Sequence, residues 1–600
     1  MKRSLYRLPY LVLLALLLVS ARSLHAQTDA GHDQVTPIGC GTLSITDEDI
    51  RQAEINTRIH APEVYRRAQL EARTGRKGTA TISSDFDLTR PFYVLNSRND
   101  PATFDLIEAG FAYDGKLVRI WVDLRDTARV TAAKIAQLAQ VLDTKTASGS
   151  RDPNKGVVEN NQDVYGPPPT EFLQDGKTDF LLTDIKGKLD AQGQVTLGFF
   201  SPRDQLKTST FQYSNEMNLL YVDDNEGLQQ LTRLFGIVSH EHQHLLHYGN
   251  NVASHNSQDG DGYTFYNEGA SELATILNGY AFRSTAPYLA NTNVDLLRYD
   301  RVDGNKQEID YERSLTFLLY LYEQFGEGFI RNFVKVQATS ITRVNSAMEL
   351  SGINLSERDW RSVIKGFAVA NYVQTAPAGM PMYGFRFHPA GGSTRATARK
   401  TFSGEAFDAT GTVDLERYGS AFYVYNTAGP MTITPTPTIA SRNTVMMVMY
   451  YKANALVGVD ERPVNGSSIE VGRQLGSYDK IVLGFVSLDN ERATVNFTAN
   501  KLTVGVREEN ATSGGLSIAE ISPNPAREET FVRYRSEAGA LRLEIFDARG
   551  ERVATPVDGA SSTRGDHQIR LETSTLAPGM YVLRLTQAGR IVTRPLIVVR

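Results

Sequence analysis

Between Glu226 and Tyr248 apolar side chains recur at spacings of three and four, at Leu228, Leu231, Leu234, Phe235, Val238, Leu245 and Leu246. That pattern predicts a single helix over 226–248, with Asp224 and Asn225 as N-cap candidates and Gly249 and Asn250 ending it. Such a stripe needs another layer to pack on, and the residues before it supply one. The stretches "RPFYVLN" (90–96), "TFDLIEAGFAY" (103–113), "KLVRIWVDL" (116–124), "TDFLLTDIKG", "QVTLGFFS" and "MNLLYVDD" read as strands. Ile135, Leu138, Val141 and Leu142 mark a helix over 131–145. The expectation is an α+β domain over residues 81–373.

The 226–248 helix carries four of the chain's ten histidines, within "SHEHQHLLHY" (239–248). His240 and His244 are one turn apart and project from one face, the geometry two imidazoles need to grip one zinc ion. His242 lies about 200° round the helix from His240 and does not share that face. His240, Glu241 and His244 spell H-E-x-x-H, in which the glutamate beside the first ligand can take a proton from water at the metal. The plain alternative is a histidine-rich surface helix with no metal. A third ligand has to come from elsewhere. A metzincin pattern requires glycine at 247 and histidine at 250, where this chain has His247 and Asn250. The segment "YNEGASELATILNGY" (266–280) offers Glu268 and Glu272, again one turn apart, and by spacing either can face the metal.

At this point the sequence resembles the gluzincin metallopeptidases, whose third ligand lies in an N-E-x-x-S-D/E pattern matched by Asn267, Glu268, Ser271 and Glu272. The resemblance implies a zincin-like fold, Glu268 as zinc ligand, and Glu272 as the carboxylate that orients a ligand histidine through its other ring nitrogen. With "YERSLTFLLYLYEQFG" (311–326) and "DWRSVIKGFAVANYV" added, the region from about residue 90 to 373 looks like the hyicolysin-type secreted metallopeptidases. The gluzincin resemblance implies a tyrosine or histidine outside the zinc motif that donates to a developing oxyanion. Tyr311 is the candidate, with Tyr248, Tyr263 and Tyr266 as rivals. The strand "LGFFS" (197–201) is a candidate for aligning substrate. "QDGDGY" (258–263) sets Asp259 and Asp261 in a turn that hints at Ca²⁺ but lacks the later glutamate of an EF-hand loop.

Compartment bears on metal and cysteine chemistry alike. Lys2, Arg3 and Arg7, the apolar run "LVLLALLLV" and the small residue Ala26 make residues 1–26 a secretory signal peptide, too short in its apolar run for a spanning anchor. A single cysteine, Cys40, forms no internal disulfide, so an exported chain of 600 residues must be held by packing, aided by metal. Residues 27–80, with a helical stretch interrupted at Pro62, read as a prosegment or N-terminal extension. "CGT" at Cys40 resembles cysteine-switch segments, in which a thiolate fills zinc's open position. A net charge of −5 with no long basic run gives no reason to expect a nucleic-acid partner or a polybasic membrane contact.

Beyond Thr375 short strands punctuated by glycine and proline take over, and residues 376–506 read as an accessory β-sandwich, for substrate engagement or for packing on the preceding domain. The last segment, 516–600, resembles a type IX secretion C-terminal sorting domain through "ISPNPA" (521–526), "LRLEIFDARGERV" (541–553), "LAPGMYVLRL" (576–585) and the ending "RPLIVVR". The fold class expected is therefore multidomain: an α+β zincin-like domain followed by two all-β sandwiches. Taken together, the resemblances imply a secreted Zn²⁺-dependent endopeptidase acting on a protein or peptide and handled by the type IX secretion machinery. The alternative is a cell-surface or secreted binding protein with an inactive zincin-like domain.

Overall fold

The computed structural model describes residues 46–75, 86, 88–96, 101–125, 127–172, 175–185, 196–250, 261–280, 283–300, 304–386, 395–403, 408–440, 442–472, 477–501, 516–547, 550–588 and 590–600. The expected signal peptide, Cys40 and Asp259 lie outside them.

Two helices open the described chain, α1 (Asp47–His60) and α2 (Pro62–Thr74). Thr46 and Asp49 form a capping box at the start of α1, and Pro62 sits in the first turn of α2, where its missing N–H costs nothing. A six-stranded sheet follows: β1 (Thr89–Asn96), β2 (Thr103–Asp114), β3 (Val118–Asp123), β4 (Thr178–Thr183), β5 (Gly198–Phe200) and β6 (Leu219–Asp223), in the order β1-β2-β3-β4-β6-β5. β1 to β3 form an antiparallel meander, β3, β4 and β6 run parallel, and β5 returns antiparallel to β6 at the edge. The central strands are buried on both faces, which is why "FLL" and "LLYV" read as continuous apolar runs. One face, with Ile120, Val122, Phe180, Leu182 and Val222, packs on helices; the other, with Trp121, Leu181, Phe199 and Tyr221, forms a second core. α1 and α2 pack Ile50, Ala53 and Ala68 against Tyr93, Phe104 and Tyr213, so the segment read as an extension is part of the described fold.

The remaining helices are α3 (Ala132–Ala139), α4 (Val157–Tyr165), α5 (Leu231–Asn250), α6 (Asp261–Leu277), α7 (Ala286–Ala290), α8 (Gly304–Lys335, kinked at Gly326, φ 80°), α9 (Arg343–Leu350) and α10 (Trp360–Val373). The expected helix 226–248 differs at its start. Asp223, rather than Asp224 or Asn225, accepts the Gly227 N–H at 2.8 Å, holding a 3-10 turn over Gly227–Gln229, and α5 begins only at Leu231. The helix expected over 131–145 is α3, capped by Thr131 and continued by a π turn, Gln140–Thr144.

Residues 398–501 fold as two packed antiparallel-rich sheets. One holds β7 (Ala398–Ser403), β9 (Ser420–Asn426), β11 (Thr444–Lys452), β12 (Ala455–Pro463) and β14 (Lys480–Ser487); the other holds β8 (Asp408–Leu415), β10 (Met431–Pro437), β13 (Ile469–Val471) and β15 (Ala493–Lys501). The central strands of the five-stranded sheet, β9, β11 and β14, are buried on both faces. Tyr423, Tyr425 and Phe485 face the other sheet, while Phe422, Val424, Met447, Met449 and Val482 join one core with α6, α8 and α10. Tyr372 of α10 meets Phe422 at 5.0 Å between ring centroids. The C-terminal strands, β16 (Ser517–Ser522), β17 (Glu529–Ser536), β18 (Gly539–Phe546), β19 (Arg552–Ser562), β20 (Gly565–Glu572), β21 (Gly579–Gln587) and β22 (Arg590–Val598), make a three-stranded and a four-stranded sheet around their own core. No helix among the described residues is long and apolar enough to cross a membrane.

Candidate metal centre

The helical spacing of His240 and His244 brings their Nε2 atoms to 3.1 Å from one another. Glu268 of α6 completes the group, with Oε2 at 3.2 Å from His240 Nε2 and Oε1 at 3.5 Å from His244 Nε2. A tetrahedral ion with bonds of about 2.0–2.1 Å holds neighbouring donor atoms about 3.3–3.4 Å apart, which is the spacing these atoms bracket. Glu268 is fully buried, and neither of its oxygens receives an aligned hydrogen bond from the described residues. A buried carboxylate facing two imidazole nitrogens is costly unless a cation lies among them, so His240, His244 and Glu268 form a group able to hold a metal ion.

The other ring nitrogens have oxygen neighbours, the one at His240 Nδ1 an ion-pair contact rather than an aligned hydrogen bond. His240 Nδ1 lies 3.2 Å from Glu272 Oε1, and His244 Nδ1 lies 3.2 Å from Asn267 Oδ1 and 3.1 Å from Ser271 Oγ. Acceptors at Nδ1 favour the tautomer whose Nε2 lone pair points inward. The two glutamates that spacing left open are thus separated: Glu268 faces the Nε2 pair and Glu272 stands behind His240. Glu272 shares its Oε1 with Arg283, whose Nε donates at 2.8 Å. Burial disfavours the Glu272 carboxylate, but the Arg283 charge and the His240 contact outweigh it and hold its pKa below the ordinary range. The Arg283 guanidinium is likewise held charged against burial by Glu272.

Glu241, next to His240 on α5, is buried and accepts a hydrogen bond from the backbone N–H of Phe200 at 3.2 Å. Two glycines permit the close approaches involved. A Cβ on Gly198 would meet Ile237 at 3.1 Å and the Tyr221 carbonyl at 3.2 Å, so glycine lets β5 lie against α5. A Cβ on Gly269 would meet the Ser314 carbonyl at 2.7 Å, so glycine next to Glu268 lets α8 lie against α6.

Tyr311, on α8, has its ring 6.1 Å from that of His240, and Arg283 stacks over it at 4.1 Å. The rivals make other contacts. The Tyr266 hydroxyl donates to the Ser340 carbonyl, Tyr263 packs edge-on to His247, and Tyr248 packs edge-on to Phe200. His242 stands apart from the group, between Asn161 and Thr178, where burial pushes its pKa down to about 3. Asp261 opens α6, and Asp259, the other aspartate of the proposed calcium turn, lies outside the described residues. A second acidic group, Asp184, Asp223 and Glu226, lies at the β6 end, where the Asp223 carboxylate accepts the Ile185 and Gly227 N–H groups as a turn cap. Sequence reasoning missed the Phe200 amide, because any residue supplies one, and Arg283, an isolated arginine outside every motif.

Residues 520–599 match the family described as "Secretion system C-terminal sorting domain". The chain therefore carries such a domain and is directed through the type IX secretion system to the cell surface or extracellular space. Over 195 residues, 31% of this chain, it is 24% identical to the neutral metalloprotease ShpI of Staphylococcus hyicus, and the match spans 40% of that protein's length. Among solved structures, similarity is found to the Yersinia pseudotuberculosis-derived mitogen, at 9% identity over 18% of this chain and 97% of that one, with a TM-score of 0.14. It is also found to PorZ, a bacterial surface component of the type-IX secretion system of Porphyromonas gingivalis, at 15% identity over 17% of this chain and 14% of that one, with a TM-score of 0.12. TM-scores this low carry no argument about fold or function. The chain thus carries both a partial likeness to a metalloprotease and a His-His-Glu group able to hold a metal ion.

Proposed function

We propose that this chain is a secreted zinc-dependent endopeptidase of the gluzincin type, with a zincin-like domain built on the six-stranded sheet and α5. The observation that carries the reading is the convergence of the His240, His244 and Glu268 ligand atoms on the helix whose Glu241 is bonded to the edge strand β5. Thiolate-free nitrogen and oxygen donors in this number, with one position left over, fit a catalytic zinc site. Zinc held there supplies Lewis-acid polarisation of the scissile carbonyl and makes an attacking water more acidic.

The chain's own residues do the rest. Glu241 takes the proton of the attacking water and delivers it to the leaving nitrogen as the C–N bond breaks. The Phe200 amide fixes the carboxylate that does this, and Glu272 fixes the His240 ring. Among the described residues β5 pairs with β6 on one side only, and it offers an extended peptide a strand edge bonded to Glu241. The Tyr311 hydroxyl is assigned to the developing oxyanion on the strength of its place beside His240. A casein cleavage assay on the full purified chain tests the reading: chelator-sensitive cleavage restored by zinc supports it. Zinc binding without turnover on a broad peptide library would favour the binding-protein alternative.

A further inference from the structure

Four buried side chains close a ring through His240 of the candidate metal centre. His240 Nδ1 contacts Glu272 Oε1 at 3.2 Å, the same oxygen receives Arg283 Nε at 2.8 Å, the Arg283 guanidinium stacks over Tyr311 at 4.1 Å, and the Tyr311 ring returns to His240 at 6.1 Å. Arg283 is 8% exposed and, opposite His240 in the ring, touches both the carboxylate behind a ligand and the proposed oxyanion donor. An arginine suits this place as lysine does not. Its planar fork donates in the plane to Glu272 while its face covers an aromatic ring, where the cation is attracted by the ring's negative face.

We infer that Arg283 is a positioning residue for peptide hydrolysis, locking the Glu272 carboxylate onto His240 and the Tyr311 ring beside it, so that ligand orientation and oxyanion donor are set by one side chain. The inference rests on the endopeptidase reading above. Two functions meet in Arg283 and can be separated by substitution. Arg283→Lys keeps a positive charge for Glu272 but gives up the flat face over Tyr311. Arg283→Gln gives up both.

The test uses the full chain, with zinc affinity measured by competition against a chromogenic chelator, the visible spectrum of the cobalt-substituted protein, and kcat and KM on a peptide substrate. Thermal melting of each variant reports folding separately. Arg283→Gln should weaken zinc affinity about 10–100-fold, the usual effect of losing support behind a metal ligand, and alter the cobalt spectrum. Arg283→Lys should keep zinc affinity within about threefold and the cobalt spectrum unchanged, yet lower kcat about tenfold or more with KM unchanged, the pattern of a lost transition-state interaction. Combined with Tyr311→Phe, the lysine variant should lose little further activity, because both changes disable one donor. Wild-type kcat in Arg283→Lys, or wild-type zinc affinity in a folded Arg283→Gln, overturns the role of Arg283. A wild-type chain that binds no zinc overturns the reading beneath it instead, and one that binds zinc but cleaves nothing leaves the affinity and spectral comparisons to decide the Arg283–Glu272–His240 link.

Discussion

The backbone N–H of Phe200, on the edge strand β5, donates to Oε2 of Glu241 on α5 at 3.2 Å. The bond ties the proposed general base to the strand edge proposed to align substrate. Glutamine at 241 retains an oxygen to accept that N–H but cannot take up a proton. Glu241→Gln is therefore expected to lower kcat about 10²–10⁴-fold while leaving zinc content and melting temperature unchanged. Peptide cleavage kinetics beside metal analysis check this, and a fully active variant would remove Glu241 from the mechanism.

His242 gives a pH signature that is separate from catalysis. Its ring is wholly buried, and its folded pKa is lowered to about 3 against 6.5 ordinarily. Between those values the unfolded chain binds a proton that the folded chain refuses, so this residue's contribution to stability is full above about pH 6.5 and is lost as pH falls toward 3. The slope reaches at most about 1.4 kcal/mol per pH unit. Melting curves from pH 7 to pH 4.5 should fall more steeply for the wild type than for His242→Gln.

The helical pair at the N-terminus is bonded into the sheet. Thr57 Oγ1 accepts the Phe104 N–H at 2.7 Å and Tyr93 donates to Glu71 at 2.8 Å, both buried. Thr57→Val leaves that N–H without its acceptor and should cost about 1–3 kcal/mol of stability in denaturant titration. An unchanged midpoint would mean α1 is not bonded to β2.

The five-stranded sheet of residues 398–487 shares its core with the helices that carry Glu268 and Tyr311. Phe422→Ala should lower stability by about 3–5 kcal/mol, and a chain ending at Gln374 should fail to accumulate as soluble protein. Soluble, zinc-binding protein ending at that point would show that the helical half is self-sufficient.

What the sequence disclosed follows from which physics is local. His240 and His244 were legible because two residues one turn apart on a helix have no choice of relative direction. The strands 90–96 and 103–113 were legible from alternation, and the break between α1 and α2 from Pro62. Glu268 and Glu272 were not separable by spacing, since their facing is set by how α6 docks on α5, which Gly269 and its contact with α8 permit. Arg283 and the Phe200 amide reach the site only through tertiary packing, and neither leaves a pattern along the chain. The start of α5 was misread because Asp223, at the end of a strand, caps a turn there.

The most direct test of the metal centre is elemental analysis of the purified full chain, wild type beside Glu268→Gln and Glu272→Gln. The arrangement predicts about one zinc per wild-type chain, lost in Glu268→Gln, and bound more weakly but still detectably at saturating metal in Glu272→Gln. Zinc retained in full by Glu268→Gln, or absent from the wild type after reconstitution, would contradict it.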